Sequence, residues 1–240
     1  MSEPPSTPDR GASGRALSRC IGLVGGLGPP ATVHYYNALL AALARRDLVP
    51  QLVIVHAELD RVLGLVAAND TAGLADYLAA LIRSLAQAGA AFAVVPAVTP
   101  HICAPELTVL SPLPLVDIID ALIGELDARG VRRAALLGTR FTMERCMFGR
   151  LDRFEIIDIG GDTRAEVHRI YTSIAANGGA TSADLTYLKD LCRALHAGGA
   201  DAIVAAGTEL SVVLHEGEDD FPLVDCAKAH VAAIVERAAP

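Results

Sequence analysis

The sequence predicts an α/β protein with two pseudo-symmetric lobes, parallel-sheet cores and one site in the cleft between the lobes. Short apolar runs alternate with longer amphipathic stretches, as in successive βαβ units. The runs are apolar on both faces, which is typical of strands in a buried parallel sheet. A strand followed by a glycine-containing loop also occurs once in each half of the chain.

The predicted strands are short and bounded by Gly, Pro or polar residues. In chain order they are Ile21–Val24, Leu52–Val55, Phe92–Val95, Leu115–Ile118, Ala134–Leu137, Phe154–Ile157 and Ala202–Ala205. Open α/β sheets bind ligands at the carboxyl ends of their strands. We therefore expect the functional residues in the loops that follow these runs.

Three of the intervening stretches predict helices. Ala31–Arg46, Ala72–Gln87 and Thr186–His196 carry apolar residues at helical spacing. Thr71 and Asp184 are the expected helix starts, because their side-chain oxygens can accept hydrogen bonds from the first free N–H groups.

The order of these elements indicates an internal duplication. Gly25 and Ala97 are 72 residues apart, and Gly138 and Gly207 are 69 residues apart. In each half, a glycine-containing loop precedes a strand that ends in a polar loop. Two related lobes facing each other would bring all four loops to one cleft. Glycines that merely follow strands, as in any α/β protein, are the alternative explanation.

The division into lobes follows from this duplication. Residues 20–115 and 212–240 are expected to form the first lobe, and residues 116–211 the second. Residues 1–19 are rich in Pro, Ser, Gly and Arg and lack an apolar run. This composition predicts a flexible tail rather than a secretory signal peptide, and a cytoplasmic location.

Composition limits the possible partners. The 240 residues carry a formal net charge of −8 and are 52% hydrophobic, with a mean hydropathy of +0.39. A negative charge without a basic cluster argues against nucleic acid. No apolar run approaches the roughly 18 residues that span a bilayer, so no membrane segment is expected.

Neither a metal nor an organic cofactor is indicated. The seven histidines show no HxH or HxxxH spacing. The first glycine-rich loop lacks both the GxGxxG spacing of dinucleotide sites and the lysine of a P-loop. The odd number of cysteines and the absence of a CxxC pair favour free thiols. These are Cys20, Cys103, Cys146, Cys192 and Cys226.

Five segments, in the same order along the chain, resemble the motifs of the aspartate/glutamate (Asp/Glu/hydantoin) racemase superfamily. They are Ile21–Thr32, Val95–His101, Leu137–Glu144, Ala205–Leu210 and Val224–His230. The resemblance extends from about Cys20 to the C-terminus. It implies the two-lobed fold of that family, with the site between the lobes, and a homodimer.

The two strand-end loops depart from the family pattern. The family usually reads Cys-Asn-Thr-x-His in the first loop and Gly-Cys-Thr-Glu in the second, and the cysteines exchange the α-proton from opposite faces of the substrate. Here Ala97 and Gly207 occupy the cysteine positions, and Val98 occupies the asparagine position. The resemblance therefore implies a site that lacks the usual two thiols. The retained motif residues are Thr99, His101, Thr208 and Glu209.

The expected substrate-binding residues surround a carboxylate. Backbone N–H groups of the loop formed by Gly25, Gly26, Leu27 and Gly28 lie at a predicted helix start and suit an anion, although the same loop is also typical of a tight turn. Three threonine hydroxyls can bind the carboxylate, stabilise an enolate-like intermediate or cap the following helices. They belong to Thr99, Thr139 and Thr208.

The candidate catalytic residues are His101, Glu209 and His56. A histidine titrates near neutral pH, which suits a general acid or base. Glu209 can act as a base or anchor its loop through backbone N–H groups. His56 follows a strand, in a loop that often reaches the substrate in this family. Arg61 in the same loop can bind a second carboxylate or form a surface ion pair with Asp60.

Two cysteines lie near the motif residues. Cys103 follows His101 by two residues, and Cys146 follows Thr142 by four. Either thiol could replace the missing ones if it entered the cleft with a lowered pKa. Both could instead pack as small apolar side chains.

The resemblance implies a cofactor-independent, racemase- or isomerase-like enzyme that transfers a proton beside the carboxylate of a small carboxylic acid. An enzyme without these thiols reacts more easily with an activated substrate than with an unactivated amino acid, whose α-proton is weakly acidic. Decarboxylase, lyase or cyclase chemistry is therefore an alternative. A catalytically inactive, carboxylate-binding pseudoenzyme is the other.

Overall fold

The computed structural model describes residue 11, residues 14–217 and residues 219–240. Most of the predicted tail therefore lies outside the described residues. Within it, Ala16–Leu17 form a short strand (β1) parallel to Leu48–Val49. This part of the expected tail is ordered because its backbone pairs with that of the first lobe.

The described residues form ten strands and nine α-helices. The strands are β1, β2 (Ile21–Gly25), β3 (Leu48–Val49), β4 (Leu52–His56), β5 (Phe92–Val94), β6 (Leu115–Val116), β7 (Arg133–Leu137), β8 (Glu155–Ile156), β9 (Ala202–Ala205) and β10 (Leu223–Asp225). The helices are α1 (Pro29–Arg45), α2 (Leu59–Ala67), α3 (Thr71–Gln87), α4 (Ala104–Leu110), α5 (Ile118–Ala128), α6 (Arg140–Glu144), α7 (Gly161–Asn177), α8 (Ser182–Ala197) and α9 (Cys226–Ala238). None of these helices combines the length and the apolar character needed to cross a bilayer.

The two larger sheets confirm the predicted fold class. Each has four parallel strands, in the orders β4-β2-β5-β6 and β8-β7-β9-β10. Numbered along its own half of the chain, each sheet has the strand order 2-1-3-4. The two lobes therefore share one topology, as the internal duplication predicts.

Each lobe is covered by a helix that follows the last strand of the other lobe. Helix α5 follows β6 of the first sheet, but Ile118 and Leu122 pack in the core of the second. Helix α9 follows β10 of the second sheet, but Val231 and Ile234 pack against the first. The segment after residue 211 thus contributes to both lobes, because β10 pairs with β9 of the second sheet and α9 packs against the first.

One strand end and two helix caps differ from the predicted ones. The strand expected to end at Ile118 ends at Val116, because the Asp117 carboxylate accepts hydrogen bonds from two N–H groups of the first turn of α5. Helix α3 is capped by Asp70 rather than Thr71. Helix α8 is capped by Thr181, whereas Asp184 lies in its first turn.

The buried His230 of α9 connects this helix to the first lobe. The His230 Nε2 lies 2.9 Å from the carbonyl oxygen of Val116, which can only accept, so Nε2 donates. The Nδ1 atom then accepts from the Tyr35 hydroxyl at 3.0 Å. These bonds link α9, β6 and α1 and require a neutral ring. Burial lowers the pKa of His230 from 6.5 to about 3.

This histidine should make the protein acid-sensitive. Between about pH 6.5 and about pH 3, the unfolded chain binds a proton at His230 that the folded protein does not. The free energy of unfolding should therefore fall as pH decreases below 6.5, by roughly 1 kcal/mol per pH unit from this residue. Urea unfolding at about pH 7.5 and about pH 5.5 measures the change.

The His230→Gln variant should lose part of this pH dependence. The matched control is His215→Gln, because His215 is exposed, and it should retain the full dependence. An unchanged pH dependence in His230→Gln would contradict the prediction.

Candidate active site

A cavity of about 410 Å³ lies between the lobes, at the carboxyl ends of both sheets. The loops that follow β2, β5, β7 and β9 line it, together with one face of α2 and one face of α7. The duplicated topology explains this position, because equivalent strand-end loops of the two halves converge there. The cleft predicted from the sequence is therefore present.

Glu209 is the acidic residue of this cleft. Its side chain is only 6% exposed. The Oε2 atom accepts a hydrogen bond from the Thr208 hydroxyl at 3.0 Å and another from the Tyr171 hydroxyl. No described side chain or backbone group donates to Oε1, and no described Lys or Arg pairs with the carboxylate. One oxygen is thus fixed, and the other is available to a ligand.

Gly28 makes room for that free oxygen. A Cβ atom at position 28 would lie 2.8 Å from Glu209 Oε1, closer than van der Waals contact allows. Its φ of +154° also favours glycine. The glycine-rich loop of the first lobe therefore approaches the carboxylate of the second lobe with backbone alone.

Tyr171, on α7, fills the space beside Gly207. A Cβ atom at position 207 would collide with Cε2 of the tyrosine ring and would lie 2.9 Å from its hydroxyl. Burial, followed by the charge of Glu209, raises the pKa of Tyr171 well above 10. At neutral pH the phenol therefore stays protonated and donates to Glu209. A phenol occupies the space into which a side chain at position 207 would project.

The predicted binding residues are partly assembled here. Leu27, Gly28, Thr99, Thr139 and Thr208 line the cavity. Thr139 also caps α6, since its Oγ1 accepts from the Thr142 N–H at 3.1 Å. Thr139 therefore lines the cavity while it caps a helix.

Gly25 and Gly26 lie outside the cavity lining. The Gly26 N–H donates to Thr32 Oγ1 at 3.0 Å, so it forms part of a turn rather than an open anion site. Of this loop, only Leu27 and Gly28 therefore line the cavity.

His101 lies behind the cavity rather than in its lining. Its Nδ1 donates to the carbonyl oxygen of Ala97 at 2.8 Å, and its Nε2 lies 4.0 Å from Asp117 Oδ2. Arg150 holds the same Asp117 oxygen at 2.8 Å. Burial lowers the pKa of His101. In this position the ring fixes the loop that carries Ala97.

Two other predicted residues also lie outside the cavity lining. His56 is exposed at the end of an edge strand, with its ring beside Gly26. The guanidinium of Arg61 stacks 4.4 Å above the Tyr77 ring, where it is satisfied by a cation–π contact. Neither side chain reaches the cavity in this structure.

The five cysteines lie apart from the cavity lining. No cysteine is among the cavity-lining residues that the structure describes. Cys103 is buried and donates to the Pro100 carbonyl at 3.2 Å, and burial raises its pKa to about 12. Cys146 lies at a separate depression. In the described part of the chain, no group of three or more His, Cys, Asp or Glu residues is arranged to hold a metal.

Two titratable residues of the cleft, Tyr171 and His168, are absent from the sequence-based prediction. The Nδ1 atom of His168 accepts from the Arg140 N–H at 3.3 Å, and burial lowers its pKa. Both residues lie on α7, whose spacing of 168, 171, 172, 175 and 176 marks one helical face. That periodicity is the signal by which the face could have been found.

Comparison with known proteins agrees with this architecture. Residues 24–234 match the family described as Asp/Glu/Hydantoin racemase. The chain belongs to this family. A Yersinia pestis protein assigned as an Asp/Glu racemase has 26% identity and a TM-score of 0.82, over 92% of this chain and 99% of its own.

Two further structures show the same fold at lower identity. An aspartate racemase homologue from Pyrococcus horikoshii OT3 is 24% identical, with a TM-score of 0.78 over 92% of this chain and 99% of its own. Arylmalonate decarboxylase is 20% identical, with a TM-score of 0.56 over 92% of this chain and 93% of its own. The racemase fold therefore occurs in proteins with different named activities.

The contact between Tyr171 and position 207 predicts a coupling in this racemase-family protein. Gly207→Ala should lower the free energy of unfolding by about 1–3 kcal/mol, because the tyrosine ring must move. In a Tyr171→Ala background the same substitution should cost little. Denaturant unfolding of the double-mutant cycle measures the coupling free energy.

Gly124→Ala is the control for this cycle. A Cβ atom at position 124, in α5, would meet no atom within 4 Å. The Gly124→Ala substitution should leave the free energy of unfolding unchanged or slightly raised, both with Tyr171 and in the Tyr171→Ala background. Equal costs of Gly207→Ala with and without Tyr171 would show that the ring does not occupy that space.

Proposed function

We propose that this member of the Asp/Glu/hydantoin racemase family is a cofactor-independent enzyme that transfers a proton at the carbon beside the carboxylate of a small carboxylic acid. Glu209 is its base, held in place by the Tyr171 hydroxyl, and takes the place of the two-cysteine mechanism. The observation that carries the proposal is the buried Glu209 carboxylate, held at Oε2 by Tyr171 and Thr208 and free at Oε1 in the cleft.

The strand-end loops supply the donors for the substrate carboxylate. No acceptor among the described residues takes the N–H groups of Val98, Thr99 or Thr208. Thr99 and Thr139 line the same cavity. Donors fixed in advance at one edge of a cavity stabilise the negative charge that develops on an enolate. The substrate carboxylate therefore binds between the β5 and β9 loops.

The proton balance follows from the two oxygens of Glu209. Oε1 takes the proton from the substrate carbon, and the electrons of the broken C–H bond form the enolate. Tyr171 and Thr208 keep their hydrogen bonds to Oε2 throughout, so the carboxylate does not rotate away. Return of the proton to the same carbon completes exchange, and in an unsaturated acid its return to the γ carbon completes isomerisation.

The titratable groups lie on one side of the cleft. His168, Tyr171 and Glu209 are the cavity-lining residues with acid–base side chains in the described chain, and all three belong to the second lobe. The loop after β5, in the first lobe, lines the cavity with Ala97, Val98 and Thr99, which have no acid–base side chains. Two-base racemisation needs a proton carrier on each face of the substrate. One-sided isomerisation, or decarboxylation followed by protonation, fits this site better.

In this proposal neither His101 nor His56 transfers a proton. His101 is a positioning residue, because its Nδ1 holds the Ala97 carbonyl. His56 has no assigned step. A homodimer and a cytoplasmic location stay predictions.

Proton exchange in D₂O, followed by NMR across a panel of small carboxylic acids, tests the proposal. The panel contains aspartate, glutamate, alkyl and aryl malonates and unsaturated diacids. Glu209→Gln should slow deuterium incorporation or product formation at least ~100-fold, because the base is lost. Tyr171→Phe should slow it less and shift its pH profile, because one hydrogen bond to Oε2 is removed.

Glu236→Gln is the matched control. Glu236 is exposed and pairs with Arg46 on the surface, so this variant should exchange like the wild type. A wild-type protein that binds an acid of the panel but exchanges no proton would favour a carboxylate-binding pseudoenzyme.

A further inference from the structure

The outer part of the cavity is an apolar wall formed by two facing helices. Helix α2 contributes Leu59, Val62 and Leu63, at the i, i+3, i+4 spacing that places them on one helical face. Helix α7 continues the stripe of Tyr171 and contributes Ala175 and Ala176. We name these five aliphatic residues the α2–α7 wall.

The charge around this wall is unsuited to a second carboxylate. No Lys or Arg side chain is among the cavity-lining residues that the structure describes, and Glu209 is itself acidic. Arg61, the sequence-based candidate for that role, stacks on Tyr77. Arg140 is close enough to lower the pKa of His168, but its side chain lies outside the lining. A second carboxylate would lose its hydration there without forming an ion pair.

We propose that the cleft is selective for a carboxylic acid whose remaining substituent is apolar, such as a branched alkyl or aryl group, rather than for an acidic amino acid. The carboxylate binds at the β5 and β9 loops, and the apolar substituent packs on the α2–α7 wall. Assigning this ligand as a substrate rests on the proposed function. The selectivity itself rests on the lining of the cavity.

Isosteric ligand pairs test the selectivity without requiring turnover. Leucine is aspartate with an isopropyl group in place of the side-chain carboxylate. The same relation holds between 4-methylpentanoate and succinate. Calorimetric or NMR titration should show at least ~10-fold tighter binding of the apolar member of each pair, because only the diacid buries an unpaired charge. Both enantiomers of each amino acid are titrated.

A charge placed on the wall should weaken this preference. Leu63 is 51% exposed, so Leu63→Lys can place its ammonium group at the cavity mouth without burying it. We expect the ratio of leucine to aspartate affinity to fall by about 10-fold. The control is Val109→Lys on α4, where the side chain is 84% exposed and outside the cavity lining, and it should leave the ratio unchanged.

The outcomes separate this inference from the proposed function. Equal or tighter binding of aspartate and succinate by the wild type overturns the selectivity, as does failure of both apolar acids to bind. Tighter binding of the apolar acids without proton exchange by any acid supports the selectivity and contradicts the enzymatic function. Exchange that depends on Glu209 and occurs only with aspartate or glutamate supports the function and overturns the selectivity.

Discussion

The exchange of α5 and α9 between the lobes is the constraint on which the cleft depends. Each helix follows the last strand of one sheet and buries its apolar face against the other, so neither core is complete without the opposite half of the chain. His230 extends this connection by binding the Val116 carbonyl and the Tyr35 hydroxyl. The two sets of strand-end loops are thereby held facing each other, which creates one cavity between them.

Within that frame, Tyr171 and Gly207 are matched in size. Gly207 leaves space that Tyr171 fills, and the tyrosine hydroxyl then donates to Glu209. On the first-lobe side, no acid–base side chain of the described residues lines the cavity beside Ala97, and His101 donates to the Ala97 carbonyl. The cleft is therefore asymmetric in chemistry although symmetric in topology. This asymmetry, together with the cation-free α2–α7 wall, separates the proposed chemistry from two-base racemisation of an acidic amino acid.

The predicted elements that agree with the structure are those set by local patterns. All seven predicted strands occur, because buried parallel strands are continuous apolar runs bounded by Gly, Pro or polar residues. β10 was not predicted, since Leu223–Asp225 is a three-residue run beside a helix cap. Thr99, Thr139, Thr208 and Glu209 line the cavity, because loops that follow parallel strands meet at one edge of the sheet.

The fold class, the duplication and the strand-end loops that line the cleft follow from local sequence patterns, because each depends on residues close together in the chain. Which side chains enter the cavity depends on tertiary packing. Tyr171 lies 36 residues before Gly207, and its place in the cleft follows from how α7 packs on the second sheet. His101 and Arg61 lie in the predicted loops, yet a carbonyl oxygen and an aromatic ring already bind them. Side-chain direction depends on such long-range contacts, which local pattern does not specify.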